Sequence, residues 1–388
     1  MKENSQVSLQ ALVFSLVAAA FTTVYITQPV LPVIGDEFDV DATIASLSVS
    51  MVILGIALAN LPFGMLADRY RIKPIILAGG TVVAATSLTC AITHNLVFLV
   101  AARFVQGLFI PSLTTCLAAY LAKSLPPAQL NIVMGSYVSA TVAGGLGGRL
   151  LGGWIHPPLH WRYAFVSASV LLIGATLAAF HWLPGEKTEA KSELPQAGFI
   201  HLLAQPSLLR VLVVAFSAYF VFSSMFNYLP FYLSAPPFAA RTETITLMYL
   251  AYLIGIIMGP VSGKLSNRVG SGTTIVIGTL MLAVAVAATS TRSLAIIAAS
   301  LVLMCASFFS IHAAAIGLLN RRLTSSRGRA NSLYVLCYYT GGAAGITACG
   351  YAYSGYGWQG AVALSAAMLI LPLSIGLAEF AHERSMGT

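Results

Sequence analysis

The chain has 388 residues, of which 58% are hydrophobic and 8% charged, with a mean hydropathy of +0.85. A soluble domain carries about 25% charged residues, so this composition excludes a soluble fold and any sizeable soluble catalytic or nucleic-acid-binding domain. The formal net charge of +8 has to be tested against membrane topology before it is assigned to a partner.

A bilayer span needs roughly 20 apolar residues, and twelve apolar runs separated by short polar breaks are present. The first, 9–34, is too long for a signal-peptide core and no small-residue cleavage site follows it, so it stays as a helix. It contains no Asp or Glu, and Pro29 and Pro32 predict a bend near its far end that frees backbone carbonyls toward a cavity or a neighbour. Spans two to six follow at 44–66, 74–93, 96–119, 130–155 and 161–183. A polar stretch, 184–207, divides the chain near its midpoint. Spans seven to twelve are 208–233, 245–266, 273–291, 293–319, 331–355 and 359–380. This predicts an all-α membrane protein of twelve transmembrane helices in two pseudo-symmetric six-helix bundles, 1–183 and 208–388, joined by a cytoplasmic linker at 184–207.

With an even number of spans both termini share one side. Fifteen of the twenty Lys and Arg fall on that side, three (Arg162, Arg241, Arg292) fall opposite, and Arg103 and Arg149 remain inside spans. Cytoplasmic loops collect Lys and Arg, so both termini are predicted to be cytoplasmic and the positive charge reflects topology. Nucleic acid is not an expected partner. Cys90, Cys116, Cys305, Cys337 and Cys349 all lie in apolar runs without metal-ligand spacing and are expected to be free thiols.

The loop after span two reads Gly64-Met-Leu-Ala-Asp68-Arg69-Tyr-Arg71-Ile-Lys73; that after span eight reads Gly263-Lys-Leu-Ser-Asn267-Arg268-Val-Gly270. They align without gaps, 199 residues apart, as in a duplicated transporter. The first loop resembles the Gly-x-x-x-Asp-Arg-x-Gly-Arg-Lys signature of the major facilitator superfamily, with Arg71 where the second Gly is usual and Ile72 where the Arg is. Arg103-Phe-Val-Gln106-Gly107 in span four is similar to that family's second signature. Span five resembles the third, carried by its drug–proton antiporters: Gly135, Gly144, Gly148, Gly152 and Gly153 match, and Arg149 replaces the usual Pro. Tyr25-Ile-Thr-Gln28-Pro29-Val-Leu-Pro32 and Tyr338-Tyr339-Thr-Gly341-Gly342 look like stretches of bacterial inner-membrane efflux members. The resemblance covers essentially the whole chain and implies alternating access and residence in the bacterial inner membrane.

Gly144, Gly148 and Gly152 recur every fourth residue on one face of span five, and Gly255, Gly259 and Gly263 do so in span eight. Small residues let helix backbones approach in lipid. If spans five and eight face each other across the halves, as the resemblance implies, these are rocking surfaces; otherwise they are static seams between neighbours. Asp68, the one acidic residue of the short cytoplasmic loops, is stabilised beside a helix N-terminus, and the resemblance places the start of span eleven there. Asp68 and Arg69 are then a gate, with Asn267 and Arg268 a copy that is weaker because Asn267 is uncharged.

A guanidinium at mid-membrane costs at least ~2.5 kcal/mol and usually faces a cavity, which makes Arg103 and Arg149 candidate substrate ligands. The resemblance also links Arg103 to proton movement. No carboxylate lies within the spans beside them, leaving backbone carbonyls, water, the acidic cluster Asp36–Asp41 or an anionic substrate as partners. His312, well inside span ten, titrates near physiological pH and is the candidate proton carrier; a neutral packed histidine fits equally. Tyr25, Gln28, Asn227, Tyr338 and Tyr339 are candidate substrate contacts on spans expected to line a cavity, while Tyr228 also suits an interfacial belt. No phosphate-binding loop, paired carboxylates or metal cluster is present, so neither an enzyme nor an ATP-driven pump is indicated, and no cofactor is expected. The expected function is proton-coupled efflux of small amphipathic or anionic compounds by a monomer, set against uptake or exchange of a small organic anion or sugar.

Overall fold

The computed structural model describes residues 3–183, 198–323 and 327–386. Among them, ten stretches are long and apolar enough to cross a membrane. One, Gly328–Ser385, runs 58 residues and breaks at Gly357, whose φ of 59° and ψ of −151° suit a residue without Cβ. The helix Pro127–Ile155 carries the fifth span. Together these helices fit twelve spans.

Span one is Glu3–Val24 followed by a 3-10 turn, Gln28–Val30, and a second helix, Leu31–Phe38. Spans two to six are Leu47–Arg69, Ile72–Ile92, Leu96–Leu113 with Thr115–Ser124, Pro127–Ile155 and Arg162–Trp182. A short helix, Phe199–Leu203, occupies part of the expected linker, whose residues 184–197 lie outside the described ones. Span seven is Pro206–Ser234; span eight is Thr242–Met248, Tyr249–Tyr252 and Leu253–Val269; spans nine and ten are Ser271–Ala288 and Leu294–Arg322.

The chain forms two compact units, Met1–Phe38 with Leu47–Glu193, and Asp39–Ser46 with Leu194–Thr388. Residues 39–46, expected in the first bundle, therefore pack with the second. Within the first unit span one lies on span five, two on four and three on six; within the second, seven lies on eleven, eight on ten and nine on twelve. The duplication thus extends from sequence to helix pairing.

Glycine decides these seams. A Cβ at Gly144, Gly148 or Gly152 would strike the carbonyls of Ala18, Thr22 and Ile26 in span one. In the second unit Gly341 and Gly345 take the same relation to the carbonyls of Phe216 and Phe220 in span seven. The stripe of span five is therefore covered by span one inside its own unit, which corrects the expectation of a rocking surface: periodicity marks a close-packing face but not its neighbour. Gly255 faces the Phe309 ring, whereas a Cβ at Gly259 or Gly263 would meet nothing within 4 Å, so that stripe is no continuous seam.

Arg103 holds the break in span one. Pro29 and Pro32 lack the amide that a continuous helix would use, and Gln28 and Val30 turn back to the carbonyls of Tyr25 and Thr27 at 3.1 Å. The carbonyls of Thr23 and Val24 are left over, and Arg103 donates to both, at 2.6 Å for Thr23. Its Nε donates to the Ser48 carbonyl of span two at 2.7 Å, and Gln106, which it also contacts, donates to Ser87 of span three at 2.6 Å. Arg103 is fully enclosed. Three of these contacts are to backbone carbonyls and one is to the Gln106 side chain, so Arg103 clamps spans one and two and, through Gln106, span three.

Arg103→Met leaves buried carbonyls unpaired, each costing about 1–3 kcal/mol, and is expected to lower the melting temperature in detergent far more than Arg149→Met; equal shifts would contradict the clamp. Gly148→Val overfills the span one–five seam, an error costing about 1–3 kcal/mol. Gly174→Ala, where a Cβ meets nothing, is expected to leave the melting temperature unchanged or raised.

Candidate functional site

Each unit carries a cluster suited to a solute. In the first, Arg149 of span five is 2% exposed because the glycines beside it draw span one close. Its guanidinium lies over the Tyr25 ring, 4.0 Å from the centroid, the geometry of a cation–π contact. Its Nε donates to Gln28 Oε1 at 2.6 Å and its Nη1 to the Gly145 carbonyl at 2.8 Å. A Cβ at Gly145 would approach both Tyr25 and Arg149, so glycine there keeps the pair open on that side. The structure therefore brings Tyr25, Gln28 and Arg149 together, and the 3-10 turn begun by Gln28 is what aims the amide. Gln28, Gly145 and Tyr25 together fix the position of the guanidinium.

In the second unit Tyr338 of span eleven stacks on Tyr219 of span seven, centroids 3.9 Å apart, and Tyr339 meets the same ring edge-on at 5.9 Å. Phe222 stacks on Phe308 at 3.9 Å, and Phe226 and Tyr252 extend the cluster. His312 sits at its end, 5.1 Å from Tyr338 between ring centroids, with Nδ1 2.9 Å from the Tyr334 hydroxyl. That hydroxyl fixes the ring and gives an imidazole proton a defined neighbour. Sequence reasoning named the tyrosines and His312 but missed Phe222, Phe226 and Phe308, which are ordinary core residues by composition.

Asn227 stands apart from these clusters: its Nδ2 donates to Ser46 Oγ at 2.7 Å. Tyr228 is buried and donates to the Ile346 carbonyl at 3.0 Å, which removes it from the interfacial belt. Glu37, expected in a wet cluster, accepts from Trp161 at 2.6 Å and from Arg162, whose Nη2 donates to the Thr93 carbonyl at 2.7 Å. This ties spans one, three and six at the end opposite the termini.

At the other end Asp68 pairs with Lys123 of span four at 3.2 Å, and Lys123 donates to the Ala67 carbonyl at 2.7 Å. Asn267 accepts from Arg321 of span ten at 3.2 Å. Asp68 and Asn267, matched by the repeat, are thus each held by a cation of the span two places further on, Lys123 of span four and Arg321 of span ten. Arg69 and Arg268 are exposed. Sequence reasoning missed Glu379, 1% exposed, which accepts from Arg322 and lies 3.5 Å from Arg210. Among the described residues, no group of three or more acidic, His or Cys side chains could hold a metal.

The sequence matches the family model described as Major Facilitator Superfamily over residues 13–345 and 239–378. It is 27% identical to YybF, an uncharacterized MFS-type transporter of Bacillus subtilis (strain 168), over 93% of this chain and 91% of that protein. It is also 27% identical to the inner membrane transport protein YnfM of Escherichia coli (strain K12), over 94% and 88%. A bacterial homolog of the human lysosomal transporter Spinster, solved in an inward-facing and unoccupied conformation, superposes with a TM-score of 0.81 at 16% identity, covering 98% of both chains. The helix pairing, the repeated loops and these relatives place the chain in the Major Facilitator Superfamily, as an integral membrane transporter and not an enzyme.

Proposed function

We propose that this transporter exports small amphipathic or anionic compounds across the bacterial inner membrane in exchange for protons, with both termini cytoplasmic. The observation that carries the reading is the Arg149 guanidinium, fixed over Tyr25 and by Gln28 near the proline break of span one. A buried guanidinium attracts an anionic group, and its planar fork favours a carboxylate or phosphate-like one. The stacked Tyr219, Tyr338 and Phe308 rings supply the apolar complement for an amphipathic body. His312, held by Tyr334, is the proton carrier, since span one has no carboxylate. The cation bias of the loops supports the orientation, and YnfM is itself named an inner membrane protein. Uptake or exchange of a small organic anion uses the same Arg149 cluster and differs in the sign of its response to a proton gradient.

Proteoliposomes given a panel of radiolabelled organic anions and amphipathic dyes separate these readings. Exchange with protons predicts accumulation driven by an acidic interior; coupled uptake predicts accumulation driven by an alkaline one. Arg149→Ala is expected to reduce transport at least tenfold with unchanged yield, and Arg149→Lys to restore part of it because an ammonium lacks the fork. Full activity of Arg149→Ala would reduce it to a packing residue.

For His312→Gln the expected result is loss of the gradient's effect with counterflow exchange retained. A gradient-driven rate equal to the parent's would move the coupling group elsewhere.

A further inference from the structure

The end of the second unit that carries the C-terminus is built around one buried acid. Glu379 accepts from the Arg322 guanidinium of span ten. Arg322 gives its other terminal nitrogen to the Ser207 carbonyl at the start of span seven, at 2.9 Å, so both tips of its fork are occupied. Arg210, on the next turn of span seven, brings Nη1 to 3.5 Å from the same carboxylate while half of its side chain stays exposed. Glu383, the next acid along the chain, is engaged elsewhere and accepts from the Ser271 and Gly272 amides. Two guanidiniums thus share one carboxylate, which leaves one positive charge over, and Arg210 is the member of the pair that an anion can reach.

The surroundings of Arg210 are apolar. Leu209 beside it is exposed, and so is Leu203 of the short helix Phe199–Leu203 that precedes span seven. Ile200 of that helix is 86% exposed while Leu202 is buried. An outward-facing isoleucine and leucines beside an arginine, at the end of an apolar span, match the boundary where hydrocarbon meets headgroups. The Arg329 guanidinium lies 5.6 Å from the Phe199 ring centroid and sets a further cation beside the short helix. The recess between spans seven and ten, lined by Ser207, Leu208 and Arg322, measures only about 10 Å³, so a ligand is held on the surface and not between the helices.

We propose that Arg210, Leu209 and the Phe199–Leu203 helix form a binding site for one anionic phospholipid of the leaflet on the side of the termini. The phosphodiester pairs with the Arg210 fork, whose planar donors suit a phosphate, and the acyl chains cover Ile200, Leu203 and Leu209. Glu379 acts as the positioning residue, holding Arg210 and Arg322 at one place. A water-soluble phosphate gains nothing from the apolar side chains, and a zwitterionic lipid carries its own cation against that of Arg210. The site requires only that the chain is an integral membrane transporter, and holds whichever solute, direction or coupling ion applies.

Native mass spectrometry of the purified full-length protein in detergent tests this. Titration with phosphatidylglycerol, or with phosphatidylcholine of the same acyl chains, counts the bound lipids and gives their affinities. One phosphatidylglycerol is expected to bind roughly tenfold tighter than phosphatidylcholine. Arg210→Gln is expected to weaken it roughly fivefold, the worth of one arginine near an anionic headgroup, with Arg210→Lys falling between. Ile200→Gln is expected to weaken it with the charge untouched. Arg268→Gln, at another exposed cation of the same unit, is expected to change it by less than about twofold, and phosphatidylcholine binding stays at the parent's value in Arg210→Gln and Arg268→Gln. Equal losses in Arg210→Gln and Arg268→Gln would show a diffuse attraction and overturn the site. Displacement of phosphatidylglycerol by millimolar inorganic phosphate would overturn it too, since the pocket would then serve a free phosphate.

Discussion

In hydrocarbon no backbone amide or carbonyl can be left to solvent, and span one violates the simplest way of obeying that rule. Its helix stops at Val24 and resumes at Leu31: Pro29 and Pro32 lack the amides that would serve Tyr25 and Gln28, and the Gln28 amide turns to the Tyr25 carbonyl and not to that of Val24. The exposed carbonyls require donors, and the first unit is organised around supplying them. Arg103 reaches Thr23 and Val24 from span four, while Arg149 reaches the Gln28 side chain and the Tyr25 ring from span five. Two buried charges thus converge on one break, with different consequences. Arg103 bonds three carbonyls and Gln106, while Arg149 bonds Gln28 and the Gly145 carbonyl and lies over the Tyr25 ring.

The close approach that lets Arg149 reach span one comes from its glycine neighbours. Gly144, Gly148 and Gly152 place the two helix backbones in contact, so the arginine between them needs no extended reach and keeps its planar fork oriented by Gln28. Replacing the proline usual at this point of the family's third signature with arginine therefore does more than remove a helix breaker: it sets a charge into a seam whose spacing was already fixed.

Much of this was legible in the sequence, for identifiable reasons. Twelve apolar runs and the cation bias follow from the solvent, and the observed helices fall within a few residues of the expected spans. The prediction that Pro29 and Pro32 free carbonyls was local chemistry and needed no neighbour. What stayed hidden was the identity of neighbours. Backbone carbonyls leave no sequence mark, so Arg103 could not be told from Arg149. Helical periodicity shows that Gly144, Gly148 and Gly152 share a face but not that span one lies on it. The two copies of the loop also differ in backbone: Gly270 has φ 92° and Glu383 accepts from the Ser271 amide at 2.9 Å, whereas Arg71 in the first copy takes an extended conformation.

The duplication also shows where the halves have diverged in chemistry. Aligning the span one–five seam with the span seven–eleven seam sets Gly148 against Gly345, and hence Arg149 against Ile346, while Thr22 against Phe220 sets Gln28 against Phe226. One scaffold thus carries a cation and an amide in the first unit and an aliphatic and an aromatic side chain at the matching places in the second. Around Phe226 the rings of Phe222, Tyr252 and Tyr249 close in. The two copies thus keep the same helix pairing while the side chains at matching places along it have diverged from polar and charged in the first unit to apolar and aromatic in the second.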